Sequence, residues 1–269
     1  MDELAPLDPA SRRYRALGSG LAWLVYLFLI APSLIVVPIS FGDQNEIKFP
    51  PTSLSLYLYR DFLFGSNWLA TAVQSFRVAI CAAGISIVVG TLAAYALARI
   101  DFPGRRLIHI LLISPALVPA IVVALGLYLY FAMLGLNGTT IGLVLAHAVQ
   151  TVPFVVIAIG AGLRHVDPDL ERAAAIMGAG RWLVLRRVTL PLLRSAVAAA
   201  ALFAFLISFD EVVIAYFLTN ATTMTLPVKM YSSIQFQISP VIAAVSSLLT
   251  LLSLAICMVA AQLQGAERH

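Results

Sequence analysis

Asp169-Leu170-Glu171-Arg172-Ala173-Ala174-Ala175-Ile176-Met177-Gly178-Ala179-Gly180, closing in Val188-Thr189-Leu190-Pro191, is the longest stretch of this chain that cannot sit in lipid. Arg172, Arg181, Arg186, Arg187 and Arg194 would each cost roughly 2.5–3.5 kcal/mol at a bilayer centre on insertion scales. The segment therefore stays in water. It also has the grammar of a folded element: an Ala-rich helix, Gly178 as breaker, and a second run stopped by Pro191. A small folded element on the wet face of an apolar protein suggests a docking surface for something soluble.

The rest of the chain is apolar. Of 269 residues, 61% are hydrophobic and 11% charged, where a soluble domain carries roughly 25% charge. A polytopic, all-α membrane protein is the expected class. A crossing needs about 20 apolar residues, and six runs qualify, near 18–40, 70–98, 106–133, 140–163, 195–218 and 240–262. The expected organisation is a tail over 1–17, a six-helix transmembrane domain over 18–264 with a cytoplasmic segment at about 164–191, and a tail over 265–269. The first run reads as a signal anchor: it is too long for a signal-peptide core, and Pro32 and Pro38 stand where small cleavage-site residues belong. The loop 41–69 reads as an extended stretch around Phe49-Pro50-Pro51, followed by a short interfacial helix near Tyr57. No internal repeat is evident.

Basic residues set the orientation. With the amino terminus inside, Arg12, Arg13, Arg15, Arg99, Arg105, Arg106, Arg164, Arg172, Arg181, Arg186, Arg187, Arg194 and Arg268 are cytoplasmic, thirteen of the seventeen Lys and Arg. Only Lys48, Arg60 and Lys229 fall in outer loops, with Arg77 near the outer end of a run. This asymmetry predicts both termini in the cytoplasm.

Polar residues inside the apolar runs are the other candidates. Asp210 and Glu211 interrupt the fifth run. Acids there are expensive and face a cavity or a partner; as helix neighbours they diverge by about 100°, so one faces a pathway, or both pair structurally. After them come Asn220, Thr222, Thr223 and Thr225, then Leu226-Pro227 with Lys229, Met230, Tyr231 and Gln235. These read either as a re-entrant element lined by backbone or as an ordinary outer loop. Pro115 and Pro119 predict a kinked third span. His147 and Gln150 are expected to hydrogen-bond across helices. Cys81 and Cys257 read as small packing residues. There is no Gly-x4-Gly-Lys-[Ser/Thr], no His-Glu-x-x-His, no zinc-spaced cysteine pair and no Gly-x-Ser-x-Gly, so the chain reads as a non-enzyme without metal or cofactor. A stand-alone secondary carrier is the rival, but it would want acids in several spans, and only the fifth offers them.

The opening segment resembles the EAA loop of permease subunits of ATP-binding-cassette importers: Glu-Ala-Ala, three residues, Gly, nine residues, Ile, one residue, Leu-Pro. Counting from Gly178 puts Arg172-Ala173-Ala174 in the first slot and Val188-Thr189-Leu190-Pro191 in the last. Arg172 stands where the family has glutamate, with Glu171 one place earlier; which of them makes the family's polar contact is open. Ser208-Phe209-Asp210-Glu211-Val212-Val213, Thr225-Leu226-Pro227-Val228-Lys229-Met230-Tyr231-Ser232 and Ile238-Ser239-Pro240 are similar to the second permease of spermidine/putrescine importers. Relatives for iron, aminophosphonates, opines and amino-acid-like compounds share much of this pattern. The resemblance implies the type I importer permease fold, a bacterial inner-membrane location, coupling to an ATPase through Glu171, Arg172, Ala173, Ala174, Gly178 and Pro191, and a pathway near Asp210, Glu211, Lys229, Met230 and Tyr231. It also implies the partners: a second permease, an ATPase dimer and an extracytoplasmic solute-binding protein, with the lipid bilayer around them and no nucleic acid.

Overall fold

The computed structural model describes residues 9–43, 47–65, 67–236 and 239–266. Every regular element among them is helical. The chain divides into two compact units, 1–67 with 238–269, and 68–237.

In the first unit, α1 (Pro9–Ser40) packs on α13 (Val241–Ala266). The expected short helix is α2 (Tyr57–Arg60), continued by a π-helical turn over Asp61–Gly65. Tyr59 fixes it: its hydroxyl is 2.6 Å from Ser40 Oγ and donates to Ser247 Oγ at 3.3 Å. The described part of α1, from Gly18 onward, is long and apolar enough to cross a membrane, and its most apolar stretch buries nothing inside the chain.

The second unit is built on two long helices, α3 (Trp68–Arg99) and α6 (Thr140–Leu163). Both are long and apolar enough to span. They approach closely because the contact face of α3 is small: Ala79, Ala82, Ala83, Ser86 and Gly90 are all buried. A Cβ at Gly90 would lie 2.6 Å from Val155 Cγ1, so only glycine fits. Without a hydrophobic force between helices in lipid, such contact surface and interhelical hydrogen bonds hold spans together; Ser86 Oγ lies 2.6 Å from Thr151 Oγ1. Cys81 faces outward from α3 rather than packing in the core; the side chain of Cys257 lies outside the described residues.

The third run is not one kinked helix. It breaks at Val118-Pro119 into α4 (Arg105–Leu117) and α5 (Ala120–Met133), bent by 107°. Pro119 has no amide to donate and holds the residue before it extended (Val118 ψ 138°). The fifth run also breaks, at Asp210-Glu211-Val212, between α10 (Arg194–Phe209) and α11 (Val213–Leu218). Among the described residues three helices pass as spans, or up to five if two bent pairs each count as one, α4 with α5 and the helical stretch 181–192 with α10; in the sixth run, the described apolar part of α13, Val241–Leu254, is shorter than a crossing.

One core cluster gathers Tyr95, Ile159, Leu163, Leu185 and Leu193 at the Arg99 end of α3. Another gathers Val78, Phe131, Leu143, Ile214 and Val228 toward the Trp68 end. Along α6, His147 and Thr151, both buried, lie between residues of the two. A helix of 32 residues is about 48 Å long, so α3 serves as a ruler on which sites can be placed.

Candidate functional site: a fastened coupling segment and a broken span

The wet segment folds as α7 (Pro168–Ile176), a turn at Gly178, α8 (Arg181–Val184), a π-helical turn over Leu185–Thr189 and α9 (Leu190–Leu192). Asp167 caps α7 by accepting the Asp169 amide at 2.9 Å, and Pro168 starts it, where a missing N–H costs nothing. Gly178 has φ +90° with open space around its Cβ position; the glycine is required by backbone conformation, not by crowding. Pro191 does not stop the second run, as expected, but sits in the first turn of α9, where its absent amide is tolerated. The chain turns instead at Leu193, with an 80° bend into α10.

Glu171 is buried and is the anchor of this element. Its Oε2 pairs with Arg99 Nε at 3.0 Å, and its Oε1 accepts from Thr189 Oγ1 at 2.9 Å. Arg99 also donates through Nη2 to the carbonyls of Leu163 (3.3 Å) and Val166 (3.0 Å). One guanidinium therefore ties the ends of α3 and α6 to α7, and Thr189 adds the segment after Gly178. A cation suits the carbonyl-rich C-termini of two helices. The acid adjacent to the family's glutamate position thus makes an interior polar contact, while Arg172 is exposed and pairs locally with Asp169. Ala174, three positions after Glu171, turns inward with it; of the two alanines implied to meet an ATPase only Ala173 is exposed, on the same element as the highly exposed Ile176 (87%) and Met177 (84%). The sequence reading missed Arg99 and Thr189. The only signal was that Thr189 falls inside the Val188-Thr189-Leu190-Pro191 stretch of the EAA-like pattern.

The second group lies at the break in the fifth run. Because the helix is interrupted there, the 100° argument for Asp210 and Glu211 does not apply. Glu211 is buried and accepts the amides of Ile214 (3.0 Å) and Ala215 (2.9 Å), capping the start of α11. His147 on α6 stands beside it, with Nδ1 2.8 Å from Ser208 Oγ and Nε2 4.0 Å from Glu211 Oε2. Asp210 is exposed. Phe209, its chain neighbour, clusters with Phe76 and Phe205, with ring centroids 5.0–5.9 Å apart. Phe76 follows Trp68 by eight residues, so the break lies about 12 Å in from the Trp68 end of α3. Gln150 does not complete the cluster: its Oε1 is buried without a partner.

The segment after it is α12 (Leu226–Phe236), a helix rather than an element lined by free backbone. Ser75 receives its Leu226 amide at 2.7 Å. Lys229 lies over the Trp68 ring, 4.7 Å from the centroid, and Tyr231 meets Tyr216 edge-on at 5.7 Å; Met230 is half-buried. The two groups of site residues therefore occupy different levels of α3: Glu171 at the Arg99 end, Asp210 and Lys229 toward the Trp68 end.

Residues 86–267 match the family described as binding-protein-dependent transport system inner membrane component. The chain belongs to that family. It is a transport permease of the importer type, and its relatives are permeases rather than enzymes. It is 32% identical over 258 residues to the spermidine/putrescine transport system permease protein PotC of Escherichia coli (strain K12), covering 94% of this permease and 96% of that one. It is 29% identical over 233 residues to the putrescine transport system permease protein PotI of the same strain, covering 84% and 83%. The diacetylchitobiose uptake system permease protein NgcG of Streptomyces coelicolor (strain A3(2)) is 31% identical over 202 residues, covering 73% and 67%. The permease also has the fold of a chain in the crystal structure of a bacterial ABC transporter involved in the import of the acidic polysaccharide alginate, with TM-score 0.74 at 15% identity, covering 97% and 98%.

Proposed function

We propose that this permease forms half of the translocation pathway of an ATP-driven importer and carries a small organic cation of the polyamine class by alternating access. The observation that carries the coupling part is the Arg99–Glu171–Thr189 junction. It makes α7 a rigid lever on the ends of two spans, with Ala173, Ile176 and Met177 outward. A dimeric ATPase seated on that face moves the lever when it closes on ATP, and the spans follow. A second permease supplies the other half of the pathway, and an extracytoplasmic binding protein delivers the solute. Glu171, Ala173 and Gly178 are then coupling residues; Arg172, Ala174 and Pro191 shape the same element. The basic asymmetry supports placing this element and both termini in the cytoplasm.

The substrate reading is supported by the two polyamine permeases among the relatives and by Asp210, an exposed carboxylate at the break in the fifth run, next in the chain to Phe209 of the aromatic cluster. A carboxylate in a partly dehydrated pathway attracts an ammonium more strongly than in water. An uncharged sugar is the second reading, favoured by the NgcG likeness and by the aromatic cluster. The test is uptake by the complete transporter in liposomes, with ligand binding by the purified binding protein. ATP-dependent putrescine or spermidine uptake that falls in Asp210→Asn while the binding protein's affinity is unchanged supports the assignment. A binding protein that prefers a chitobiose-type sugar, an opine or a phosphonate overturns the cation and leaves the importer. Uptake by this chain without ATPase overturns the importer.

A further inference from the structure

At the Arg99 end of the second unit, α3 and α6 finish and α4 begins, leaving a cleft of about 870 Å³. One wall is apolar, with Leu97, Ile113, Val156 and Ile157, and Gly160 and Ala161 lie beside it. The same cleft is lined by Arg99, Arg105, Arg106, His109 and Arg164. Two of these charges are already met: Arg99 pairs with Glu171 at 3.0 Å and Arg105 with Asp101 at 2.9 Å. Among the described residues, Arg106 and Arg164 have no carboxylate partner. Next to them α4 exposes Leu107, Ile110 and Leu111, a surface suited to acyl chains.

We infer that this cleft holds an anionic phospholipid, its phosphate on Arg106 and Arg164 and one acyl chain along Ile113 and Ile157. Both halves of the cleft are needed for the assignment. A free phosphate would leave the apolar wall unused, and an uncharged lipid would leave two guanidiniums unanswered. A basic pocket between spans at the membrane surface recognises an anionic headgroup through charge and the neighbouring bilayer through packing. The site is separate from the proposed solute pathway and requires only that the chain spans the membrane.

The test is native mass spectrometry of the full chain in detergent, titrated with phosphatidylglycerol or phosphatidylcholine. The wild type is expected to retain the anionic lipid selectively. At about 1 kcal/mol per basic residue near the surface, removing both charges in Arg106→Gln/Arg164→Gln weakens retention about 30-fold. Arg106→Lys/Arg164→Lys retains it, which separates charge from folding. Gly160→Leu keeps every arginine but fills the cleft, since a Cβ at Gly160 meets open space; it too loses the lipid. Equal binding of the two lipids by the wild type, unchanged retention in the double Gln variant, or unchanged retention in Gly160→Leu overturns the inference. Displacement of the lipid by millimolar inorganic phosphate alone also overturns it and makes the site one for small anions.

Discussion

Glu171 and Arg172 are neighbours with opposite fates. Glu171 is buried against Arg99 and Thr189, whereas Arg172 is exposed and paired with Asp169 three residues away. Removing one member of a largely buried pair strands the other, at about 3–5 kcal/mol when burial is complete; Arg99 keeps 18% of its side chain exposed, so a smaller loss, about 2 kcal/mol, is expected for Glu171→Gln. Uptake by the assembled transporter should fall at least tenfold with the permease still inserted. Arg172→Ala should cost under about 0.5 kcal/mol, as exposed pairs do, with uptake near wild type. A double-mutant cycle on Glu171→Gln and Arg99→Gln, read by thermal unfolding, should return a coupling well above zero; additive losses would dissolve the junction. The same contrast separates the acids of the fifth run. Glu211→Gln replaces one of the two carboxyl oxygens that cap α11 with an NH2 that cannot accept and should lower stability by about 1–2 kcal/mol, whereas Asp210→Asn should alter solute flux and leave the melting temperature unchanged.

Element by element, the sequence was most readable where the apolar pattern is long. The limits of α6 fall on the expected 140–163, and those of α3 within two residues of 70–98. The breaks were not readable. Proline predicts a bend at Pro119, but its 107° magnitude depends on what α5 packs against. The break at 210–212 has no proline at all; α11 restarts there with Glu211 accepting amides of its first turn. Arg99 was equally hidden, because its partner Glu171 is distant in the chain and no local spacing links them. Two glycines carry the predictions at this scale. Gly178→Val forces a branched side chain into φ +90°, at about 1–3 kcal/mol of backbone strain; transport and co-purification of the ATPase should be lost together while insertion persists. Gly90→Ala fails for a different reason, a contact of 2.6 Å with Val155, and should destabilise by about 1–3 kcal/mol. Adding Val155→Ala should restore little of that loss, because the Cβ that alanine keeps already lies 2.8 Å from the new methyl. At Gly178 nothing is crowded, so no trimming of a neighbour can suppress the defect.

At the scale of the whole molecule, α3 separates the Arg99 junction from Lys229 over Trp68 by its full length. From the basic asymmetry, single cysteines at positions 48 and 229 should react with an impermeant reagent from outside, and those at 106 and 181 only after permeabilisation. Labelling of position 181 from outside would invert the orientation and, with it, the side on which an ATPase could act. The junction also has a meaning for biosynthesis. Arg99 leaves the ribosome long before Glu171 has been made. Until then the guanidinium at the end of α3 can reach the carbonyls of Leu163 and Val166 but lacks the carboxylate that neutralises it. The arrival of α7 thus neutralises the end of α3 before α10 packs on α3 and α6, so a nascent chain arrested just after α6 carries an uncompensated guanidinium, a chemical mark by which an unfinished chain differs from a finished one.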